Sequence, residues 1–232
     1  MQYVIDSNLT TLSGFLVGTG LDKELDDPDS PALTLFAPTE EAWIKLPSNV
    51  LIGLATNSTA LKQVLMGHVV DQIVLSLYVR DKDSKTNLNG DSLDFRVYPN
   101  KVKTVNGAQL LGNDHSLSNG VVHMIGDVLL PLDTNIGEYV AQHDTDFKDL
   151  FGLLVLGRLF GPLENVLKYH VVAGTYWSPG LTDGMKLPTL HGGLLTISIS
   201  ANGAMVDNAN VVQADIPTSN GVIHVVDKVL MP

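Results

Sequence analysis

Apolar positions along this chain recur at two periods, one helical and one extended, and they do so twice. Leu61, Val64, Leu65 and His68 fall at i, i+3, i+4 and i+7, one face of a helix that Ser58 or Thr59 can cap. Leu163, Val166, Leu167 and His170 repeat that face 102 positions later. Each histidine stands at the helix end, turned towards the core, before an apolar Val-Val that starts an extended segment. An imidazole placed there can bond backbone groups left open at the helix terminus. The apolar segments 9–25 and 147–160 read as further helices. Period-two segments predict strands at 33–38, 94–99, 102–106 and 108–112, and again at 194–200, 204–208 and 210–215. Gly, Asn and Asp turns separate them, a pattern of packed antiparallel sheets.

The longest repeat is SNGVVHMIGDVLLP from Ser118, which returns as SNGVIHVVDKVLMP from Ser219. Asn119-Gly120 and Asn220-Gly221 are hairpin-turn signals leading into strands. Val121, His123 and Ile125 lie on one face and Val122 and Met124 on the other, so both faces read as buried. His224 repeats His123, and both read as satisfied core donors rather than catalysts. VNGAQLLGND (105–114) also matches VDNANVVQAD (206–215). Three matched segments in one order mean two copies of a domain, 1–131 and 132–232, meeting near Pro131-Leu132-Asp133-Thr134.

Composition narrows the function. The chain has 232 residues, 44% apolar and 17% charged, which is globular rather than disordered. No apolar run reaches the roughly 18 residues of a membrane-spanning helix. MQYVIDSNLT does not read as a signal peptide, so a secreted form would be mature or truncated. The net charge of −11 is shared by both halves; it repels nucleic acid and suits basic partners, divalent cations or a saline exterior. The absence of cysteine excludes disulfides, thiolate metal sites and cysteine nucleophiles. Two sequons, at Asn8 and Asn57, are candidate glycosylation sites and favour an extracellular setting.

LTLFAPTEEAW (33–43), the helices ending in GHVV and YHVV, and the two terminal strands resemble the signature segments of fasciclin-type domains over nearly the whole chain. The resemblance implies an α+β, β-rich fold: two tandem wedge-shaped β-sandwich domains, each with several covering helices. It implies extracellular cell adhesion or matrix interaction through protein–protein contacts, without catalysis or cofactor. The expected partner is a cell-surface receptor, a matrix component or another copy of the chain. In some animal members a Tyr-His motif and an Asp-Ile pair are linked to integrin-mediated adhesion; Tyr169-His170 and Asp215-Ile216 match them. The first copy has Gly67-His68 and Asp114-His115 instead. An exposed loop aspartate could complete a receptor metal's coordination. Trp177, in GTYWSPG, is a candidate interface anchor, whereas Trp43 reads as core.

The second copy departs from the pattern. Only 20 positions separate Leu150 from His170, against 56 between Leu12 and His68. A segment near 156–162, including the counterpart of LTLFAPTEEAW, is expected to be missing. Losing a core strand leaves a sheet edge and apolar surface uncovered, to be closed by rearrangement or by another chain. Two rival functions remain. Asp22, Glu24, Asp26, Asp27 and Asp29 offer oxygen for a calcium-dependent binding module, though without a Gly-centred twelve-residue loop. A hydrolase would need an elbow, zinc or phosphate-loop motif, and none is present. His123 with Asp127 and His224 with Asp227 do not share a spacing.

Overall fold

In the computed structural model, Leu33–Pro38 (β1) is a strand buried on both faces, and the first unit is built around it. The structure describes residues 7–27, 31–132, 134–143 and 161–232, in two compact units, Met1–Pro131 and Leu132–Pro232. The first unit begins with α1 (Thr10–Thr19) and α2 (Leu21–Leu25). After β1 come α3 (Glu40–Ile44), α4 (Ser48–Thr56), α5 (Ser58–Gly67) and β2 (Val69–Val70). A 3-10 turn at Ser76–Tyr78 leads to β3 (Ser84–Thr86), β4 (Ser92–Val97), β5 (Lys103–Val105), β6 (Ala108–Leu117) and β7 (Gly120–Ile125). The seven strands lie in the order β2-β1-β7-β6-β5-β4-β3.

The first and last strands of this unit meet in its middle. β1 pairs with β7 in parallel, from Leu33 opposite Gly120 to Pro38 opposite Ile125. Leu35 and Ala37 join the helical layer with Leu12, Leu16, Leu61 and Leu65. Phe36 turns the other way, against Val70, Leu93, Phe95 and Ile125. Thr34, fully buried, satisfies its hydroxyl by donating to Gln72 O at 2.6 Å and accepting from Val74 N–H at 2.9 Å.

Gly120 differs from its sequence reading. The two-residue hairpin turn is Ser118-Asn119, with Gly120 already paired to Leu117. What requires glycine is closeness: a Cβ there would lie 2.2 Å from Leu33 O. Two helix readings also change. The expected single helix over 9–25 breaks at Gly20, whose φ of 74° is left-handed. The cap of α5 is Asn57 rather than Ser58 or Thr59, its side chain accepting from Ala60 N–H at 3.1 Å.

The second unit contains α6 (Ile136–Gln142), α7 (Gly161–Tyr169), β8 (Lys186–Pro188), β9 (Leu194–Ser200), β10 (Gly203–Val206), β11 (Ala209–Thr218) and β12 (Gly221–Val226). Asn135 and Glu138 close a capping box on α6. The strands run β12-β11-β10-β9-β8, each antiparallel to its neighbours. Tyr169, Leu195, Ala209 and Leu230 form its buried cluster. β12 occupies the place of β7, yet among the described residues no strand pairs with its other side. The helix expected over 147–160 and most of the 156–162 stretch lie outside the described residues.

Substituting Gly120→Ala should force β1 and β7 apart and destabilise the first unit by roughly 3 kcal/mol or more. Gly221→Ala should cost less than about 1 kcal/mol, because a Cβ there meets only the flexible end of Ile136. Urea unfolding of the two variants, followed by tryptophan fluorescence, checks the contrast.

Candidate functional site

The repeated histidines are fixed by backbone. His68 is fully buried at the end of α5: Nδ1 donates to Val64 O at 2.7 Å and Nε2 accepts Leu129 N–H at 2.9 Å. His170 does the same at the end of α7, with Val166 O at 2.8 Å and Leu230 N–H at 3.0 Å. Each imidazole therefore ties a helix terminus to the segment that follows the last strand. Burial pushes the His68 imidazole down to about 4, against the opposing bond to Val64.

His123 and His224 tie the terminal strands to the segment ahead of them. His123 Nε2 bonds Val74 O at 2.6 Å, and His224 Nε2 bonds Tyr176 O at 2.8 Å. Their second nitrogens differ. His224 Nδ1 accepts Asp215 N–H at 3.3 Å, whereas His123 Nδ1 lies 3.3 Å from Asp114 Oδ1, an ion pair when the ring is charged. His123 is stacked on Phe36 and only 3% exposed, while the Asp114 side chain is partly exposed. Asp127 bonds Lys45, and Asp227 bonds Asn210, so neither partners its nearby histidine.

Asp215 does not project from a loop. It sits at an irregularity in β11 with a φ of 60°, and its carboxylate takes Ser178 N–H at 2.7 Å and the Ser178 hydroxyl. Asp114 holds the equivalent turn of the first unit through Ser76 N–H at 2.8 Å. Serine, aspartate and histidine are thus neighbours in the second unit, but not as a catalytic relay. The serine bonds the carboxylate directly, and both imidazole nitrogens go to backbone. Ile216, beside Asp215, is buried opposite Ile223.

Tyr169 is also buried, at 7% exposure. Its hydroxyl donates to Asp207 Oδ2 at 3.1 Å and Leu194 O at 3.3 Å. Burial, and then the Asp207 bond, raise its phenol above the ordinary value, keeping it a donor at neutral pH. The ring needs Gly193 opposite it, where a Cβ would come within 2.8 Å. Trp177, expected at an interface, is 6% exposed. The five candidate contact residues thus share one second-unit framework rather than one open surface. Asp207 and Ser178, which complete it, were not singled out from the sequence, although Asp207 lies in the matched VDNANVVQAD segment.

Comparison with known proteins accords with this repeated framework. The fasciclin domain family matches residues 7–131 and 161–232. The chain belongs to the fasciclin family. It is 30% identical to transforming growth factor-beta-induced protein ig-h3 of Sus scrofa over 91% of this chain and 36% of that protein. It is 29% identical to periostin of Homo sapiens over 96% of this chain and 31% of that protein. The chain thus spans about a third of the length of these relatives. The alignment with the first runs over 249 residues, longer than this whole chain, so that relative carries residues with no counterpart here. A FAS1 domain pair from the insect cell adhesion molecule fasciclin I is 18% identical, with a TM-score of 0.48 and 97% of each chain covered.

Other candidates on the fasciclin units are surface features. Asp22 and Glu24 lie in α2, where Glu24 pairs with Lys62 at 2.7 Å. Asp26 and Asp27 follow it, and Asp29 lies outside the described residues. Among the described residues no three His, Cys, Asp or Glu side chains gather as a metal site. Both sequon asparagines are exposed. Asn57 caps α5 through its oxygen, leaving the nitrogen that a glycan would use.

The His68 environment predicts a pH dependence. In an unfolded chain this imidazole titrates near 6.5, and in the fold at about 4. The unfolded state binds the proton more readily, so the neutral ring's contribution is complete above pH 6.5 and lost as pH falls towards 4. The loss is roughly 3 kcal/mol. Urea midpoints across this window should fall more steeply for the native chain than for His68→Gln.

Proposed function

We propose that the chain is an extracellular adhesion or matrix-interaction module that works by protein–protein contact, including contact between copies. The observation that carries this reading is the pair of fasciclin units in which the repeated histidines are committed to holding the fold. The acidic net charge of −11 favours basic partner surfaces, and exposed sequons at Asn8 and Asn57 fit an extracellular setting. Among the described residues no helix is long and apolar enough to cross a membrane.

Contact then falls on exposed side chains. Leu77 and Tyr78, 78% and 71% exposed beside the turn held by Asp114, present the large apolar surface that an interface anchor needs. Tyr169, Ile216 and Trp177 are buried and His170 and Asp215 half-buried, so their first role is to position the second unit's framework. Repetition of the domain adds avidity to weak individual contacts.

The test uses beads coated with the glycosylated chain, mixed with one another and with matrix- or receptor-coated surfaces, in calcium and in EDTA. Attachment is expected in both conditions and should drop at least about fivefold when Leu77 and Tyr78 are both changed to Ser. Tyr169→Phe should keep attachment while lowering stability by about 1–2 kcal/mol. Attachment to none of these surfaces overturns the adhesion reading; loss of attachment in EDTA alone turns it into the calcium-dependent one.

A further inference from the structure

The two terminal strands have almost the same sequence and unequal surroundings. β7 is paired on both sides, with β6 and with β1. β12 is paired with β11 alone among the described residues, and it is half-buried along its whole length. Its register fixes which backbone groups face outward. Pro217 stands opposite Val222, between the pairs Ile216–Ile223 and Thr218–Gly221. Proline has no N–H to give, so this position cannot be a mutually hydrogen-bonded pair, and Val222 directs its N–H and C=O away from β11. By alternation His224 and Val226 do the same.

The first unit shows what such a side receives. Val121, His123 and Ile125 are the equivalents on β7, and there Asn119 O accepts Leu33 N–H and Ile125 O accepts Thr39 N–H, both from the β1 segment. Gly120 makes the approach possible, since its missing Cβ would strike Leu33 O. Gly221 repeats the glycine in the second unit, where the flexible end of Ile136 fills the space a Cβ would enter. Ile136 N–H bonds Asn220 Oδ1 at 2.9 Å, so an incoming strand displaces that side chain at this end of the edge. The edge thus retains the glycine, the outward amides and the register of a strand acceptor.

We propose that the side of β12 left unpaired among the described residues is a docking edge that takes an extended segment from a separate chain, in parallel, as β7 takes β1. The fitting segment is about six residues long and apolar on both faces, with a small hydroxyl at its second position, as Thr34 supplies in β1. A second copy of this chain does not offer it, because its own Leu33–Pro38 is already paired on both sides. Backbone bonds supply the affinity and the alternating apolar side chains the selectivity. This inference does not depend on adhesion: either can fail alone.

The experiment adds a synthetic peptide with the sequence of residues 31–39 and a lysine tail to the full chain and follows amide hydrogen exchange. Val222, His224 and Val226 should exchange freely in the chain alone and slow by about tenfold or more with peptide. Gly221→Ala should abolish the slowing while the chain alone stays folded, its unfolding midpoint lowered only by the small shift expected of the contact with Ile136. A peptide N-methylated at the positions of Leu33, Leu35 and Ala37 should also fail. No slowing up to about 1 mM peptide, equal slowing in Gly221→Ala, or amides already protected in the chain alone would each overturn the proposal.

Discussion

Backbone buried between layers must find partners, and in this chain that requirement is concentrated on one strand near the end of each unit. In the first unit β7 lies between β6 and β1, so every side-chain row and most backbone groups of β7 face protein. Ladder bonds cannot reach the last turn of α5 or the segment after β7. His68 bridges those two places, and His123 bridges the strand to Val74. An imidazole suits the task because it donates at one nitrogen and accepts at the other, and its flat ring packs among apolar neighbours. Neutrality is part of that role: a charged ring could no longer accept Leu129 N–H. The histidines that resemble catalytic residues in the sequence are, physically, extensions of the hydrogen-bond ladder.

Among the described residues, the second unit meets the same requirement with fewer strands. His170 and His224 repeat the bridges with nearly the same distances. The apolar packing differs more: β12 is half-buried where β7 is mostly buried, and α7 has half-buried Val166 and Leu167 where α5 buries Val64 and Leu65. Hydrogen-bond bridges depend on a few atoms close in space, whereas burial depends on whole elements being present. A unit with fewer paired strands can therefore keep the first and lose part of the second.

Much of this was legible before any coordinates. The i, i+3, i+4, i+7 face ending in His68 emerged as a buried helix face, and the two-sided apolar pattern around His123 as a buried strand. Local periodicity decides such features, and the repeat doubles the signal. Features decided by distant residues were not legible. Asp215 resembles a solvated turn aspartate in sequence, because the serine that captures it lies 37 residues earlier. Tyr169 resembles a contact residue, because Gly193 and Asp207, which enclose it, belong to other elements. Gly120 resembles a turn glycine next to Asn119, and only the arrival of β1, from the opposite end of the unit, shows that its role is clearance.

The same logic explains why equal residue types acquire different partners in the two copies. Asp114 and Asp215 both hold the turn ahead of them, through Ser76 and Ser178. Asp215 adopts a left-handed backbone, gives its own N–H to His224 and spends both carboxylate oxygens on Ser178. Asp114 uses one oxygen for Ser76 and leaves the other facing His123, with no further hydrogen bond. A buried carboxylate oxygen without a hydrogen-bond donor is costly, and here it stands 3.3 Å from His123 Nδ1. In the second unit the serine hydroxyl meets that demand instead. The irregular backbone of the penultimate strand thus selects whether the carboxylate leans on the turn alone or also on the central histidine. That choice lies in the geometry of the strand, not in the identity of the residues it presents.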